Sequence, residues 1–346
     1  MSVSEQQIRA ALKAVKYPGF TRDIVSFGLV KTVTIDGSEV KVQLALATND
    51  PNVPATIKRD AEKVLLELPG VRSAKVLIDI HAPPAGAGAG AVAQRIPGVR
   101  HIIAVASGKG GVGKSTIAAN LAVALEQTGA RVGLCDCDIY GPSISLMFGT
   151  RERPMATDEN KILPIEQYNL KLMSMGFLLD DTSPAILRGP MVTRYTQQFL
   201  RQVDWGELDY LVLDLPPGTG DIQLTIVQTV ALAGAIIVTT PQEVALIDAR
   251  KAATMFDKVN VPVLGLVENM SYFVSPSDGK RYDIFGSGGG EREAKRLRVP
   301  LLGQVPIDIR TRESGDRGIP IVAEDRQSPI TAAFLDIARQ IRKTLP

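Results

Sequence analysis

The clearest chemistry in this chain lies in one unbroken run, Gly108-Lys109-Gly110-Gly111-Val112-Gly113-Lys114-Ser115-Thr116. Its glycines allow backbone N–H groups to close around an anion. The Lys-Ser pair adds a cation and a metal-ligating hydroxyl. The apolar run Ile102-Ile103-Ala104-Val105-Ala106 comes before it, and a helix-like segment from Ile117 to Leu125 follows. Strand, glycine loop, Lys-Ser and helix in that order make a phosphate-binding loop, and the helix N-terminus adds its positive dipole end. The spacing predicts that residues 108–116 wrap the phosphates of a nucleotide. Lys114 is expected on the β- and γ-phosphates and Ser115 on Mg²⁺.

Two carboxylate-bearing segments match this chemistry. Leu208-Asp209-Tyr210-Leu211-Val212-Leu213-Asp214 is an apolar strand ending in an acid, the Walker B arrangement. Asp214 is therefore expected in the Mg²⁺ shell, through water. Leu215-Pro216-Pro217-Gly218-Thr219-Gly220-Asp221 continues from it. Upstream, Cys135-Asp136-Cys137-Asp138-Ile139-Tyr140-Gly141 follows a second apolar run. This segment resembles the switch region of ParA/MinD-class ATPases, and the resemblance implies that Asp136 sits at the strand's end near Mg²⁺; from the residue alone an ordinary capping carboxylate is the competing reading.

The elements that must position these residues alternate between apolar runs and helical stripes. Strand candidates at 102–106, 131–135, 210–214, 235–239 and 263–267 are short and near-continuously apolar, as parallel strands covered on both faces are. The expected fold class is α/β: a doubly wound, mostly parallel sheet over 99–346, preceded by a small α+β domain over 1–80. In the small domain Ile8, Leu12 and Val15 have helical spacing. Leu29 to Ile35 and Val40 to Leu46 flank the hairpin signal Asp36-Gly37. Ile57, Ala61, Val64, Leu65 and Leu68 form a second helical stripe, and Ala74 to Ile78 a third strand. Residues 81–98, centred on Ala82-Pro83-Pro84-Ala85-Gly86-Ala87-Gly88, lack large apolar side chains and read as a tether.

Composition limits the partners. The 346 residues carry a net charge of +2, which argues neither for nor against a nucleic-acid partner, but at 5% aromatics there are few base-stacking platforms; no nucleic-acid partner is expected. No apolar run has the length of a bilayer span, and no membrane partner is expected. The N-terminus lacks a basic region followed by an apolar stretch, and two cysteines do not make a disulfide framework; a cytoplasmic protein is expected.

With two lysines in the loop, GKGGVGKS resembles the deviant Walker A loop of the ParA/MinD class of ATPases. The resemblance implies that Lys109 reaches across a nucleotide-sandwich homodimer, as a cation supplied in trans. It implies that Asp138 is the catalytic aspartate that orients the attacking water. It also implies that Asn269, in Glu268-Asn269-Met270-Ser271, contacts the adenine, with Pro306 in Gln304-Val305-Pro306-Ile307-Asp308 closing the other side of the base. Arg188-Gly189-Pro190-Met191, Trp205-Gly206-Glu207-Leu208-Asp209-Tyr210-Leu211 and the PPGTGD segment narrow the resemblance to the Mrp/ApbC family of iron–sulfur cluster carrier ATPases. The N-terminal order of elements resembles the MIP18-like (DUF59) domain, with Val53-Pro54 where members often carry Cys-Pro. The family implies slow ATP hydrolysis, ATP and Mg²⁺ as cofactors, and apoprotein recipients and assembly scaffolds as partners.

One departure bears on the cargo. The family usually continues as Tyr-Phe-Val-Cys-Pro-x-Cys-Gly, and a dimer then gathers four thiolates for an iron–sulfur cluster. This chain reads Tyr272-Phe273-Val274-Ser275-Pro276-Ser277-Asp278-Gly279. Ser275 and Asp278 offer hard oxygens where iron–sulfur iron prefers thiolate. Cys135 and Cys137 could converge as replacements, but free cysteines are most often buried packing residues. His81 and His101 have no ligand spacing. Three readings follow: a cluster carrier, a nucleotide-switched interaction protein without a cluster, and a positioning ATPase on DNA or membrane. The C-terminal stripe Ile330, Ala333, Phe334, Ile337 and Ile341 reads as a helix docked on the core rather than a membrane tail. Lys295, Arg296 and Arg298 read as a solvated face.

Overall fold

A computed structural model describes residues 3–16, 23–25, 29–47, 52–81, 93–157, 161–178 and 189–346. The Ala/Gly stretch at 82–92 and Arg188 lie outside the described residues. The chain divides into two compact units, 1–91 and 92–346.

In the first unit, α1 (Glu5–Leu12) begins at a capping box in which Ser4 and Gln7 satisfy each other's backbone N–H groups. β1 (Val30–Asp36) and β2 (Glu39–Ala47) form the antiparallel hairpin around Gly37, whose φ is +57°. α2 (Asn52–Leu66) crosses over to β3 (Ser73–His81), which pairs parallel to β2. Ile8, Leu12, Ile57, Ala61 and Leu65 pack with Val40, Val42 and Leu44 as this unit's own core. Val53 and Pro54 sit in the first turn of α2, and Val53 is buried there.

The second unit runs β4 (Val99–Ala106), α3 (Lys114–Gln127), β5 (Val132–Asp136), α4 (Ile144–Met147), β6 (Ile165–Gln167) and β7 (Leu170–Met173). It continues with α5 (Gly189–Gln202), β8 (Leu208–Asp214), α6 (Asp221–Thr229), β9 (Gly234–Thr239), α7 (Glu243–Lys258) and β10 (Val263–Val274). Last come β11 (Arg281–Tyr282), α8 (Gly289–Leu297), β12 (Leu301–Ile307), α9 (Ile309–Asp316), α10 (Ile321–Glu324) and α11 (Pro329–Thr344). β12, β10, β9, β4, β8, β5 and β7 lie side by side and parallel, with β6 and β11 as antiparallel additions. β4 has β8 on one side and β9 on the other: the chain first moves past the β8 position to β5, and later crosses from β8 to β9 on the opposite side. Ligands bind at the carboxyl ends of strands around such a switch point.

Each central strand serves two cores. Ile103 and Val105 of β4 pack with α3 and α11, while Ile102, Ala104 and Ala106 pack on the opposite face with Phe199, Trp205 and Ile226. The continuous apolar run is therefore two alternating faces, both covered. In α11, Ile330, Phe334, Ile337 and Ile341 are buried in the α3 core, as a docked helix requires. No helix among the described residues is long and apolar enough to cross a membrane. β10 extends seven positions past the expected end at 267, because its later residues keep pairing with β12 and β11. That extension carries Asn269 on a strand and leads directly into the 275–278 segment.

Candidate functional site

The phosphate loop leaves β4 and turns into α3. Gly113, at φ +78°, is the N-cap of α3, and Gly111 is also left-handed at φ +81°. A Cβ on Gly108 would lie 2.0 Å from the Asp248 carbonyl oxygen of α7, so only glycine allows that helix to approach. Pro217 of the PPGTGD segment lines the opposite wall, and Gly218 N–H donates to the Ser107 carbonyl at 3.0 Å. Together these pieces enclose a hollow of about 290 Å³ lined by residues 107, 109–111, 113–116 and 138.

Lys114 is buried, and its Nζ donates to Asp214 Oδ1 and, at 3.3 Å, to Ser115 Oγ. Asp214 Oδ2 is buried with no hydrogen-bond partner. An orphaned carboxylate oxygen beside the half-buried Ser115 hydroxyl suits a hard cation or its bound water. Burial raises the Asp214 carboxyl above its ordinary value, against the pull of the Lys114 charge.

Strand register brings the second acid alongside. Asp136 of β5 is the direct neighbour of Asp214 of β8. Asp136 Oδ1 accepts from the Asp138 N–H at 3.0 Å, and Oδ2 accepts from Ser143 N–H, Ile144 N–H and the Ser174 hydroxyl at 2.9–3.1 Å. Burial first, and then the Asp214 charge, push its carboxyl up to about 7. Asp136 thus pins the whole 138–144 segment. Ser143 and Ser174, 7 and 38 residues downstream, carry no motif that could have announced this role. Asp138 is partly exposed, lines the hollow with Lys109, and accepts from Gly141 N–H at 3.3 Å. No carboxylate among the described residues pairs with Lys109.

Next to the hollow, and sharing Gly113, Thr116, Ser143 and Met147 with it, lies a cleft of about 470 Å³. Its walls include Asn269, Met270, Val305, Pro306 and Phe285. Asn269 Nδ2 donates to the Val112 carbonyl at 2.9 Å, tying β10 to the phosphate loop. The two residues expected around a base therefore line one apolar slot that opens from the phosphate hollow.

The 275–278 segment is different. Ser275 follows β10, its hydroxyl 2.8 Å from that of Ser277. Asp278 accepts from Lys280 N–H at 3.2 Å, and the Ser275 hydroxyl holds its carboxyl below the usual range. Among the described residues no group of three or more His, Cys, Asp or Glu is placed to hold a metal. Cys135 and Cys137 are buried, with Sγ atoms 3.9 Å apart, in the core beneath the sheet. Cys137 lies just past the end of β5. Its hydrogen bond to Cys135, together with burial, raises its thiol pKa, so it stays protonated. His101 Nε2 lies 3.0 Å from the Pro346 carbonyl and its ring stacks on Tyr210; Lys295, Arg296 and Arg298 are exposed.

Comparison with known proteins bears on family and fold. Residues 98–342 match the family described as NUBPL iron-transfer P-loop NTPase, and residues 5–78 match one described as iron-sulfur cluster assembly protein. An iron-sulfur cluster carrier protein of Synechocystis sp. is 46% identical over 339 residues, covering 96% of each chain. Among solved structures, a nucleotide-binding protein of Archaeoglobus fulgidus in complex with ADP is similar at 39% identity. Its TM-score is 0.61, over 69% of this chain and 94% of that one. The cell division ATPase MinD of Pyrococcus furiosus is similar at 25% identity and a TM-score of 0.54, over 71% of this chain and 99% of that one.

Proposed function

Because this chain belongs to the NUBPL iron-transfer P-loop NTPase family, we propose that it is an ATP-binding and ATP-hydrolysing carrier of iron–sulfur assembly. It works as a homodimer and delivers its cargo to apoproteins. The observation that carries the nucleotide half of this reading is the continuous space around Gly113. There a loop with a buried lysine and two buried acids joins an apolar cleft.

Each residue's work follows from its surroundings. Lys114 exchanges the Asp214 carboxylate for the β- and γ-phosphates when nucleotide enters. Ser115 and Asp214 would hold Mg²⁺, with Asp136 beside them, and the bound ion would neutralise charge on the phosphates. Asp138 orients a water against the γ-phosphorus, whose bond to the ADP oxygen breaks as the water oxygen bonds. Lys109 contributes its charge to the partner copy's phosphates. Asn269 and Pro306 bracket the base.

The cargo half rests on relatives, one of which is named an iron-sulfur cluster carrier protein. Ser275 and Asp278 favour a second reading, in which the same ATPase switches partners without holding a cluster. Iron and acid-labile sulfide, measured after anaerobic reconstitution of the full chain, separate the two. Stoichiometric iron that survives gel filtration supports the carrier, and iron at background supports the switch. ATP turnover at background in the presence of Mg²⁺ would overturn the hydrolysis shared by both readings.

A further inference from the structure

Glu268 is fully buried, although no basic side chain among the described residues pairs with it; the three donors found there are all neutral. Oε1 accepts from the Ser271 hydroxyl at 2.6 Å and from the Gln304 amide at 2.8 Å, and Oε2 accepts from the Gly290 N–H. A buried carboxylate without a counter-charge is costly unless hydrogen bonds satisfy it. Here the Gly290 donor belongs to the first turn of α8, where the helix dipole favours an anion. A Cβ on Gly290 would lie 2.7 Å from Oε2, so glycine is what allows the approach.

These partners bracket one segment. Ser271 opens the hairpin at 272–289 and Gly290 closes it, so a single carboxylate joins the hairpin's two ends. Gln304 fastens the same carboxylate to β12, beside Val305 and Pro306 in the cleft wall. Asn269, the next residue, holds the phosphate loop. The returning limb also places Phe285 in the cleft wall. Between these limbs Val274, Tyr282 and Ile284 are exposed, and the 275–278 segment lies among them.

We propose that Glu268 is a positioning residue that clamps both limbs of the 272–289 hairpin to the nucleoside cleft, so that nucleotide occupancy is transmitted to residues 274–284. The inference rests on the nucleotide reading above and adds a route from the cleft to the face that carries the altered ligand positions. Glu268→Gln retains the clamp: its oxygen accepts from Gly290, and its amide pairs with Ser271 and a turned Gln304 amide. Glu268→Ala removes it, and Ser271→Ala removes one limb.

Amide hydrogen exchange with and without Mg-ADP tests this on the full chain. Peptides over 108–116 report binding itself; peptides over 274–284 report the coupling. In the unsubstituted protein nucleotide is expected to slow exchange in both, by about tenfold at the hairpin, on the scale of local opening equilibria. In Glu268→Ala the loop still responds and the hairpin does not, while Glu268→Gln restores the hairpin response. Ser271→Ala, a milder change, weakens the hairpin response and decides the matter if Glu268→Ala fails to fold. An unchanged hairpin response in Ser271→Ala and in any folded Glu268→Ala overturns the proposal. So does a silent hairpin in the unsubstituted protein, or failure of Glu268→Gln to restore it. No response over 108–116 in the unsubstituted protein overturns the nucleotide reading instead.

Discussion

The phosphate hollow and the β10–β11 hairpin follow opposite rules. At the hollow, Lys114, Asp136 and Asp214 are 6%, 1% and 0% exposed; Lys114 and Asp214 pair across 100 positions, and Asp136 also accepts from Ser174, 38 positions away. In the hairpin, Ser275 and Asp278 bond chiefly to near neighbours, and Val274, Tyr282 and Ile284 are 46%, 48% and 57% exposed. A changed side chain in the hollow leaves a buried partner unsatisfied. A changed side chain in the hairpin meets mostly water. The P-loop site is therefore coupled to the core, whereas the two usual thiol positions can change with little cost to folding.

The largest effect expected is on turnover. Asp138→Asn should retain Mg-ATP binding but lose about 10³-fold in hydrolysis, in the range for a positioned base. Lys109→Ala should also bind nucleotide and hydrolyse slowly. Because its contact is proposed in trans, mixing it with Asp138→Asn should restore activity in the heterodimers. A steady-state phosphate assay reads both, and parent-rate hydrolysis by Asp138→Asn or no recovery at any mixing ratio breaks the respective assignment.

Next is binding. Lys114→Ala should weaken ATP about 100-fold, the scale of hydrogen bonds to a charged group. Titration calorimetry checks this, and an unchanged Kd would mean that the lysine serves Asp214 alone.

A third effect is on stability. With its folded pKa raised to about 7 from 3.8, Asp136 binds more protons folded than unfolded across that window. Stability of the nucleotide-free protein should therefore fall as pH rises from about 4 to 7, by about 4 kcal/mol from this residue. Asp136→Asn should flatten that slope. Denaturant melts at several pH values would show it, and parallel slopes in parent and variant would rule it out.

The smallest effect sharpens the contrast from the hairpin side. Ser275→Cys with Asp278→Cys should change folding stability by less than about 0.5 kcal/mol, as exposed substitutions do. It should nevertheless give a dimer four thiolates and far more bound iron than the parent after identical reconstitution. Equal loading of both proteins would shift attention to Cys135 and Cys137, which the double Cys→Ser variant tests.

The sequence alone determined whatever is local along the chain. The phosphate loop is contiguous and its flanks state strand and helix, so residues 108–116 were legible as the turn from β4 into α3. Apolar runs announced the strands, and Asp36-Gly37 the first hairpin. The stripe through Ile330, Phe334, Ile337 and Ile341 marked a buried helical face.

Only the tertiary structure decided which distant residues meet, because strand order in space is not strand order in sequence. Insertion of β8 between β4 and β5 sets Asp214 beside Asp136; burial raises both carboxyls, and the Asp214 charge adds to the rise at Asp136. The continued pairing of β10 with β12 brings Asn269 to the Val112 carbonyl and Glu268 to Gln304, 36 residues away. Burial of Cys135 and Cys137 beneath the sheet likewise depends on packing from α5 and the segment after it, which no spacing of two cysteines could show. Side-chain type and local spacing fix what chemistry a segment can perform; hydrogen-bond register across the sheet fixes which of those segments share a site.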